Sequence, residues 1–551
     1  MADTQHTTTL RSDLAPVVST ASLHTTKEWD PEPDAGIPHS TSPVPRLAED
    51  DTSEKLEKSS EPSLDNRQAE TTTPETRVPD NTSATTDPNL VEWDGPEDAE
   101  NPQNWPRWRK WLITCTASMM AFVCTFASSI FSTATTATAK EFGVSTEVTT
   151  LGTSLFLAGF IVGPLLWGPS TELLGRKIPM FSAYAVFAIF EIPVAVAQNL
   201  QTIMVCRFFG GVFAVSPLVI LPGLLGDIWD PVTRGIAMCL YSASLFVSPS
   251  LAPFIGGFIT DSYLGWRWTA WITLIMAALF GLIALHIVPE TYAPVLLQQR
   301  AKRRRFEMKN WAIHAKIDET QVTAKEVITK YLTTPCIMLV QEPVLFLMTL
   351  YLSLVYGLLY LTFESFPISF QEQRGWNEGV GGLPYISFSI GSVLGLGFNA
   401  WFIKIHYGSI HRREGKVPPE ERLLSIMVGA FVLPIGLFWF GWTSFPSISP
   451  WPQIIAAAPI GAGIALIFLQ GLNYIIDVYL ALAGSAMAAN TFARSIAGAG
   501  FPMFAAPMFH NLDVPWASSL LAFLALALAP VPFLFYKYGE RLRKMSKFSP
   551  Y

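Results

Sequence analysis

Two arginines and two glutamates fall inside long apolar stretches of this 551-residue sequence. Arg207 and Arg494 carry fixed positive charges, whereas Glu191 and Glu364 are carboxylic acids that can take up and release a proton. A charge in the hydrocarbon core of a bilayer costs several kcal/mol, so such residues usually have a function. The chemistry that these residues could perform is proton transfer within a membrane.

The relative depth of two of them follows from the spacing along the chain. Glu191 and Arg207 each lie eight residues from Asn199, where two apolar segments are expected to turn. Both side chains would then sit ~12 Å along adjacent antiparallel helices. We predict that they can form an ion pair, with Arg207 as the electrostatic partner and Glu191 as the first candidate for the proton carrier. Glu364 is the second candidate, because it lies nearer the outer surface.

Each of these residues has a simpler interpretation. Arg207 could reach the membrane surface with its long side chain. Glu364 could be an interfacial residue, since Pro367 and polar residues follow it soon afterwards. Arg494 could brace the inner end of its helix without touching a ligand.

A short polar turn separates two apolar runs of membrane length, 151–167 and 178–197. Its notable residues are Gly168, Glu172, Gly175, Arg176 and Lys177. Gly168, followed by a proline, would allow a break at the helix end, and Gly175 would allow a turn with positive φ. Glu172 can face a helix N-terminus, and the two cations mark a cytoplasmic boundary. The alternative is an ordinary basic membrane loop.

A second cluster of helix-distorting and small residues lies further along the chain. Its members are Pro249, Pro253, Gly256 and Gly257, within an apolar segment in which small residues recur every four positions. Such a face lets helix backbones approach closely.

The elements that position these residues are membrane helices. The chain is 50% hydrophobic and only 15% charged, and most of its twelve apolar segments reach the ~20 residues that span a bilayer. They lie near 111–133, 148–169, 179–197, 201–226, 235–259, 268–288, 343–366, 380–403, 423–441, 452–475, 480–509 and 515–537. We therefore predict an all-α membrane protein with two six-helix bundles, 101–288 and 343–537, joined by a cytosolic loop, 289–342.

The two ends of the chain are polar. Residues 1–100 contain 22 acidic and 7 basic residues with few aromatics, so we predict a disordered acidic tail. Residues 538–551 form a short basic tail. With both termini in the cytosol, the predicted outer loops contain only Lys140, Arg267 and Arg374 as cations, and the cation bias supports that orientation.

Several function classes lack their sequence signatures. The chain has no phosphate-binding G-x-x-x-x-G-K-[ST] motif and no G-x-S-x-G nucleophile motif. Its five cysteines have no metal-ligand spacing, and we expect no structural disulfide. We expect no enzyme activity, no cofactor, no metal and no nucleic-acid partner, and any uphill transport would draw on an ion gradient.

Four stretches resemble signatures of the major facilitator superfamily. Gly168–Lys177 resembles the G-x-x-x-[DE]-x-x-G-[RK]-[RK] signature between helices two and three, and Arg207 with its following glycines resembles the helix-four arginine motif. Ala252–Gly257 resembles the core of the motif associated with antiporters. Pro289–Pro294 with the basic run after it looks like the fungal drug:proton antiporter group with twelve spans.

The resemblance implies the major facilitator fold and a gate. In that gate, Glu172 would face the start of span eleven and Arg176 would approach Asp227. Two departures stand out: the second-half counterpart of the signature, around 397–416, lacks an acid at the matching place, and span one contains no Asp or Glu.

The function that the resemblance implies is proton-coupled export of amphipathic small molecules such as drugs, toxins or secondary metabolites. Spans seven and ten would line the cavity with Tyr356, Tyr360, Gln470, Asn473 and Tyr474. The partners would be the substrate, a proton and the lipid bilayer, and we expect a monomer in the plasma membrane, with the vacuolar membrane as the alternative.

Two other functions are kept open. One is an exporter of polyamines or of a single endogenous metabolite with the same fold, for which Glu191 and Glu364 are the clear carboxylate candidates. The other is a membrane receptor or scaffold that does not transport and uses the acidic tail as an interaction arm.

Overall fold

A computed structural model describes residues 87, 89–319, 329, 333–414, 417–479 and 482–548. The predicted tail over 1–86 lies outside the described residues. Within the described residues the fold is helical, and the β-structure is one isolated bridge between Leu90 and His314.

The N-terminal half is built from eight helices. They are α1 (Arg107–Ile130), α2 (Thr135–Phe142), α3 (Thr146–Leu174), α4 (Lys177–Ala195), α5 (Leu200–Ala214), α6 (Ser216–Ile228), α7 (Pro231–Asp261) and α8 (Arg267–Ile287). A 3₁₀ turn, Phe131–Ala134, connects α1 to α2, and these pieces together form one crossing, as do α5 and α6.

Shorter helices connect the halves, and the C-terminal half follows. The connection contains α9 (Ala293–Met308), α10 (Lys316–Glu319) and α11 (Thr334–Gln341). The C-terminal half contains α12 (Pro343–Pro367), α13 (Glu378–Gly381), α14 (Leu383–Phe402), α15 (Gly408–Glu414), α16 (Leu423–Trp442), α17 (Pro450–Val478), α18 (Ala483–Leu528) and α19 (Pro530–Lys544).

The described residues contain eleven helical elements long and apolar enough to cross a membrane, and the last of them is 62 residues long. It runs from Ala483 to Lys544 and is interrupted at Asp513, whose backbone is not helical (φ 58°, ψ 158°). Near its start, Asn490 donates to Thr349 in α12. Just after its end, the Lys547 amide donates to Glu342, which directly precedes α12. Both ends therefore lie on one side, and the predicted twelve crossings are confirmed.

We call the side on which Arg107 and Lys544 lie the termini side, and the opposite side the hairpin side. The two halves meet along two helix pairs, α3 with α18 and α7 with α14. The Ser250 and Ser389 hydroxyls lie 2.6 Å apart across the second pair. The rings of Phe246 in α7 and Phe468 in α17 meet edge to face, with centroids 5.3 Å apart.

Residues 89–104, which we call the strap, differ from the predicted disordered tail over residues 1–100. The Val91 amide donates to the His314 carbonyl at 2.9 Å, and the Arg300 guanidinium contacts Asp98 at 2.6 Å and also pairs with Asp94. Opposite charges explain the difference, because the acidic strap packs on the basic helix α9. The composition of residues 89–100 alone does not reveal this partner.

Candidate functional site

A cavity of about 290 Å³ lies between the two halves and reaches the hairpin side. The N-terminal half supplies a wall of hydroxyl groups, and the C-terminal half supplies aromatic rings and carboxylates. The hydroxyl wall consists of Ser129, Ser132, Thr133, Thr135, Thr136, Thr146, Thr150 and Thr153. One wall can thus offer hydrogen bonds while the other offers flat apolar surface, which suits an amphipathic ligand.

Tyr360, one of the predicted cavity residues, and Glu364, the second candidate for the proton carrier, line this cavity. Tyr356 lies one helical turn further from the hairpin side, and its hydroxyl is 3.4 Å from that of Tyr360. The Tyr356–Tyr360 pair therefore forms the floor of the cavity. Glu364 is the proton-carrier candidate that has direct access to the cavity.

The other three predicted cavity residues lie elsewhere. Gln470 donates to Asn399 at 2.7 Å, Asn473 donates to Gln470 at 3.3 Å, and the ring of Tyr474 packs on Phe535. These residues occupy the last turns of α17, close to the termini side. They are absent from the lining of the cavity described above, and Asn473 instead lines a small space on the termini side together with Arg234 and Met238 of the other half. A role of these three residues in substrate binding stays a prediction.

The predicted ion pair of Arg207 with Glu191 is not formed. The Arg207 guanidinium is buried and donates to the backbone carbonyls of Ala127 (2.8 Å), Ser128 (3.3 Å) and Gly152 (3.2 Å). Its guanidinium carbon also lies 4.4 Å from the ring centroid of Phe156. Helix rotation causes the difference, because Arg207 points towards α1 and α3.

Glu191 is buried between α1, α4 and α5, with 3% of its surface exposed. Its charge interacts with Arg207 and with Cys124 of α1, although its carboxylate lies beyond salt-bridge distance of Arg207. It is absent from the lining of the cavity described above. The matched depth of the two residues is consistent with this interaction, but direct pairing was the wrong prediction.

The polar turn after α3 forms a closed contact on the termini side. Arg176 pairs with Asp227 at 3.1 Å, which confirms the predicted approach of these residues. The Glu290 carboxylate accepts the backbone amides of Arg176 (2.9 Å) and Lys177 (3.0 Å). Gly175 has φ +83°, and a Cβ there would collide with the Glu290 carboxylate, so this position requires glycine.

Two other predictions about this turn have different outcomes. Helix α3 continues through Gly168 to Leu174, so the predicted break at Gly168 is wrong. Glu172 lies near the Tyr292 phenol. Burial raises the pKa of that phenol, and the negative charge of Glu172 raises it further. Helices α3 and α18 run antiparallel, with Ser154 beside Met503, so Glu172 and the start of α18 share the termini side. Direct contact between them stays a prediction.

The proline and glycine cluster of α7 lies where the halves meet on the hairpin side. Pro249 and Pro253 are inside the helix, and Pro253 lines the cavity. A Cβ at Gly256 would lie 2.5 Å from the Thr133 hydroxyl, and one at Gly257 would lie 2.6 Å from the backbone oxygen of Glu378. Any side chain at Gly257 would push the two halves apart.

A charged contact on the termini side of the second half was missed at the sequence level. Arg422 pairs with Asp477 at 2.8 Å, and Arg234 of α7 lines the same small space. No acid stands at the matching place around residues 397–416, and the acid that pairs with Arg422 lies at the end of α17. Arg422 was visible as a cation directly before an apolar segment, but its partner is 55 residues away.

Two helical halves around a polar cavity, closed on one side and accessible on the other, define a membrane transporter of the alternating-access type. The chain belongs to the Major Facilitator Superfamily, whose family model matches residues 117–502. The family identified from the sequence motifs is thus confirmed.

Similar proteins support this assignment. The citrinin biosynthesis cluster MFS transporter of Monascus ruber is 55% identical over 84% of this chain and 92% of its own length. The ascochitine biosynthesis cluster MFS transporter of Didymella fabae is 53% identical over 84% of this chain and 90% of its own. The solved structure of the proton:xylose symporter XylE aligns with a TM-score of 0.56 at 16% identity, over 79% of this chain and 96% of that chain; it supports the fold alone.

Proposed function

We propose that this transporter exports amphipathic secondary metabolites or toxins in exchange for protons. The observation that carries the proposal is the cavity between the halves, in which a hydroxyl wall faces Tyr360, Phe363 and Glu364. A cavity with polar groups on one wall and aromatic rings on the other favours ligands that have both characters. The names of the relatives, which refer to citrinin and ascochitine biosynthesis clusters, support a secondary metabolite as the substrate.

Proton coupling requires a titratable group that each side of the membrane can reach in turn. Glu364 is favoured as the carrier because it lines the cavity, and Glu191 becomes the second candidate because it is buried behind Arg207. This order reverses the one that spacing along the chain suggested. Arg207 remains the electrostatic neighbour of Glu191.

The direction of transport depends on the orientation in the membrane. The excess of Lys and Arg on the termini side favours a cytosolic location for both termini, so the cavity would open to the outside of the plasma membrane. Contacts between the halves, such as that of Asn399 with Cys239, would then close the cytosolic side, while Arg176–Asp227 and Arg422–Asp477 each lie within one half on that side. We propose a monomer, since each chain contains a complete cavity.

One observation favours a polyamine exporter as a second candidate. Three further carboxylates, Glu147, Glu372 and Glu378, lie around the mouth of the cavity near Glu364. A polyamine carrier would need acids of this kind along its path. A receptor or scaffold without transport predicts no flux at all, so the same experiment separates these alternatives.

The test is transport by the purified full chain in proteoliposomes with an imposed pH gradient, using a panel of labelled amphipathic compounds and polyamines. We expect flux of at least one amphipathic compound that increases with the gradient. Glu364→Gln should abolish the dependence on the gradient, whereas Glu307→Gln, an exposed position on α9, should leave it unchanged. Flux of polyamines alone would favour the second candidate, and gradient-dependent flux in Glu364→Gln would contradict the role of Glu364.

A further inference from the structure

Arg494 lies in the membrane-spanning part of α18, and its guanidinium group is held between two aromatic rings. The guanidinium carbon is 5.2 Å from the ring centroid of Tyr356 in α12 and 4.9 Å from that of Phe468 in α17. The ring of Phe468 in turn touches Phe246 of the other half. The charge of Arg494 is therefore located close to the plane in which the two halves meet.

This guanidinium has no acidic partner in the described part of the chain. No carboxylate lies within 4.0 Å of it, and none of its N–H groups has a hydrogen-bond acceptor there. Its Nε atom is buried and unpaired. Arg207, in contrast, donates to three carbonyls. A guanidinium carries five N–H donors and does not lose its charge, so Arg494 retains an unused capacity to bind an anion.

We propose that Arg494 binds an acidic oxygen of the substrate, and that the substrate is a planar aromatic acid, a carboxylic acid or an acidic phenol. This inference rests on the proposed function, because it assigns the substrate class of the same cavity. A guanidinium can bind a carboxylate through two parallel hydrogen bonds, which are strong where water is excluded. The rings of Tyr356 and Phe468 hold the guanidinium by cation–π contacts and offer apolar faces to a flat substrate.

The route to this residue passes the cavity floor. Tyr360 lines the cavity, its hydroxyl lies 3.4 Å from that of Tyr356, and Tyr356 covers Arg494. Arg494 thus lies directly behind the Tyr356 ring at the cavity floor in the state with access from the hairpin side. When the Phe246–Phe468 contact opens, Arg494 becomes accessible from the termini side, where an exporter takes up its substrate.

The test measures equilibrium binding to the purified full chain in lipid nanodiscs at a fixed pH. The probes are labelled naphthoate, its neutral amide and naphthylmethylammonium, which share one ring system and differ in charge. The wild-type chain should bind naphthoate about tenfold or more tightly than the amide, as a charge-assisted hydrogen bond predicts. Arg494→Gln should bring the two affinities together, and Arg494→Lys should keep part of the preference, because lysine retains the charge without the planar fork.

A matched control and a stability measurement separate binding from a purely structural role. Arg541→Gln, at an exposed arginine of α19, should leave the affinity ratio unchanged. All variants are compared by thermal unfolding, so that a loss of folded protein is not taken for a loss of binding. A structural brace would change the unfolding temperature and the affinities for all three probes together.

The proposal is overturned if the wild-type chain shows no preference for naphthoate over the amide, including the case in which none of the probes binds. It is also overturned if Arg494→Gln keeps the preference. Because binding at a fixed pH requires neither flux nor a gradient, this result is independent of proton coupling. If flux depends on the pH gradient but the chain does not prefer naphthoate, only the assignment of Arg494 as the anion-binding residue is contradicted. If the preference for naphthoate depends on Arg494 but flux does not respond to the gradient, only proton coupling is contradicted.

Discussion

The two arginines inside the membrane-spanning helices have opposite surroundings. Arg207 is buried and gives its N–H groups to three backbone carbonyls of α1 and α3. Arg494 contacts aromatic faces only, among the residues described. The first arrangement uses the charge to hold helices together, and the second leaves the charge available for a ligand.

This contrast predicts different effects on stability. Arg207→Gln should lower the free energy of unfolding by about 3 kcal/mol, because a charged donor with several buried hydrogen bonds is removed. Arg494→Gln should have a much smaller effect, because no hydrogen bond to a described residue is lost. Thermal unfolding of the purified variants in one detergent measures both. Equal losses for the two variants would contradict the division of roles between them.

Depth along a helix could be predicted at the residue scale, but direction around it could not. Counting from Asn199 put Glu191 and Arg207 at the same depth, and their charges do interact. The direction in which each side chain points around its helix axis depends on how α4 and α5 are rotated against α1 and α3. A local sequence pattern does not predict that rotation. The same limit explains why Tyr360 lines the cavity while Gln470 packs within its own half.

At the scale of elements, the strap and α9 form a charged unit beside the membrane. The side chain of Arg300 is 8% exposed and contacts Asp98, which is 6% exposed, as well as Asp94 and Glu100. The cluster of Val91, Ala301, Ile313 and Ala315 adds apolar packing. Helix α9 directly follows the segment with Glu290, whose carboxylate accepts the amides of Arg176 and Lys177.

Breaking this unit should release the strap. Arg300→Ala removes the cation shared by three carboxylates, and loss of one partner of a largely buried pair costs about 3 kcal/mol or more. Hydrogen exchange of the amides of residues 89–100 should become faster by at least tenfold. Lys302→Ala, at an exposed neighbour on the same helix, is the control and should change nothing. Unchanged exchange in Arg300→Ala would show that the apolar cluster alone holds the strap.

The strap should also respond to acid in a defined range. Hydrogen bonds from the backbone amides of Asp94 and Glu100, together with Arg300, lower the pKa of Asp98 from its usual 3.8 to about 2, although burial acts in the opposite direction. A carboxylate whose pKa falls on folding contributes stability above the unfolded value and loses it as the pH falls through the folded value. Protection of residues 89–100 should therefore be constant above a pH of about 5 and decrease between about 4 and 2.

Asp98→Asn provides the control for that measurement. Its amides should be less protected at neutral pH, and the decrease between pH 4 and 2 should be smaller than in the wild-type chain. Composition predicted disorder for this stretch because it counts only the acidic residues. The cations that compensate them, at 300–304, lie about 200 positions away.

At the scale of the whole molecule, the hydropathy pattern was sufficient to predict the twelve crossings and their division into two halves. The last two crossings form one element that reverses at Asp513, within a stretch whose apolar pattern continues on both sides. The halves pair through α3 with α18 and α7 with α14, and the small-residue pattern noted in the sequence lies on α7. The shape of the cavity and the side on which it opens depend on the packing of both halves.

The molecule is in one state of an alternating-access cycle. The cavity reaches the hairpin side, whereas Arg176–Asp227 and Arg422–Asp477 lie on the closed termini side. Transport in this account requires the halves to separate there. A covalent connection between the halves on that side should hold the molecule in its present state.

Asn399→Cys offers such a connection with a native residue. The Asn399 side-chain nitrogen lies 3.8 Å from the Cys239 sulfur, across the α14–α7 contact between the halves. Oxidation should join the two cysteines, stop flux in proteoliposomes, and allow flux again after reduction, with peptide mass spectrometry measuring the fraction joined. Asn399→Ser should transport equally well under both conditions. Full formation of the disulfide with undiminished flux would contradict the central claim that the two halves must separate on the termini side for transport.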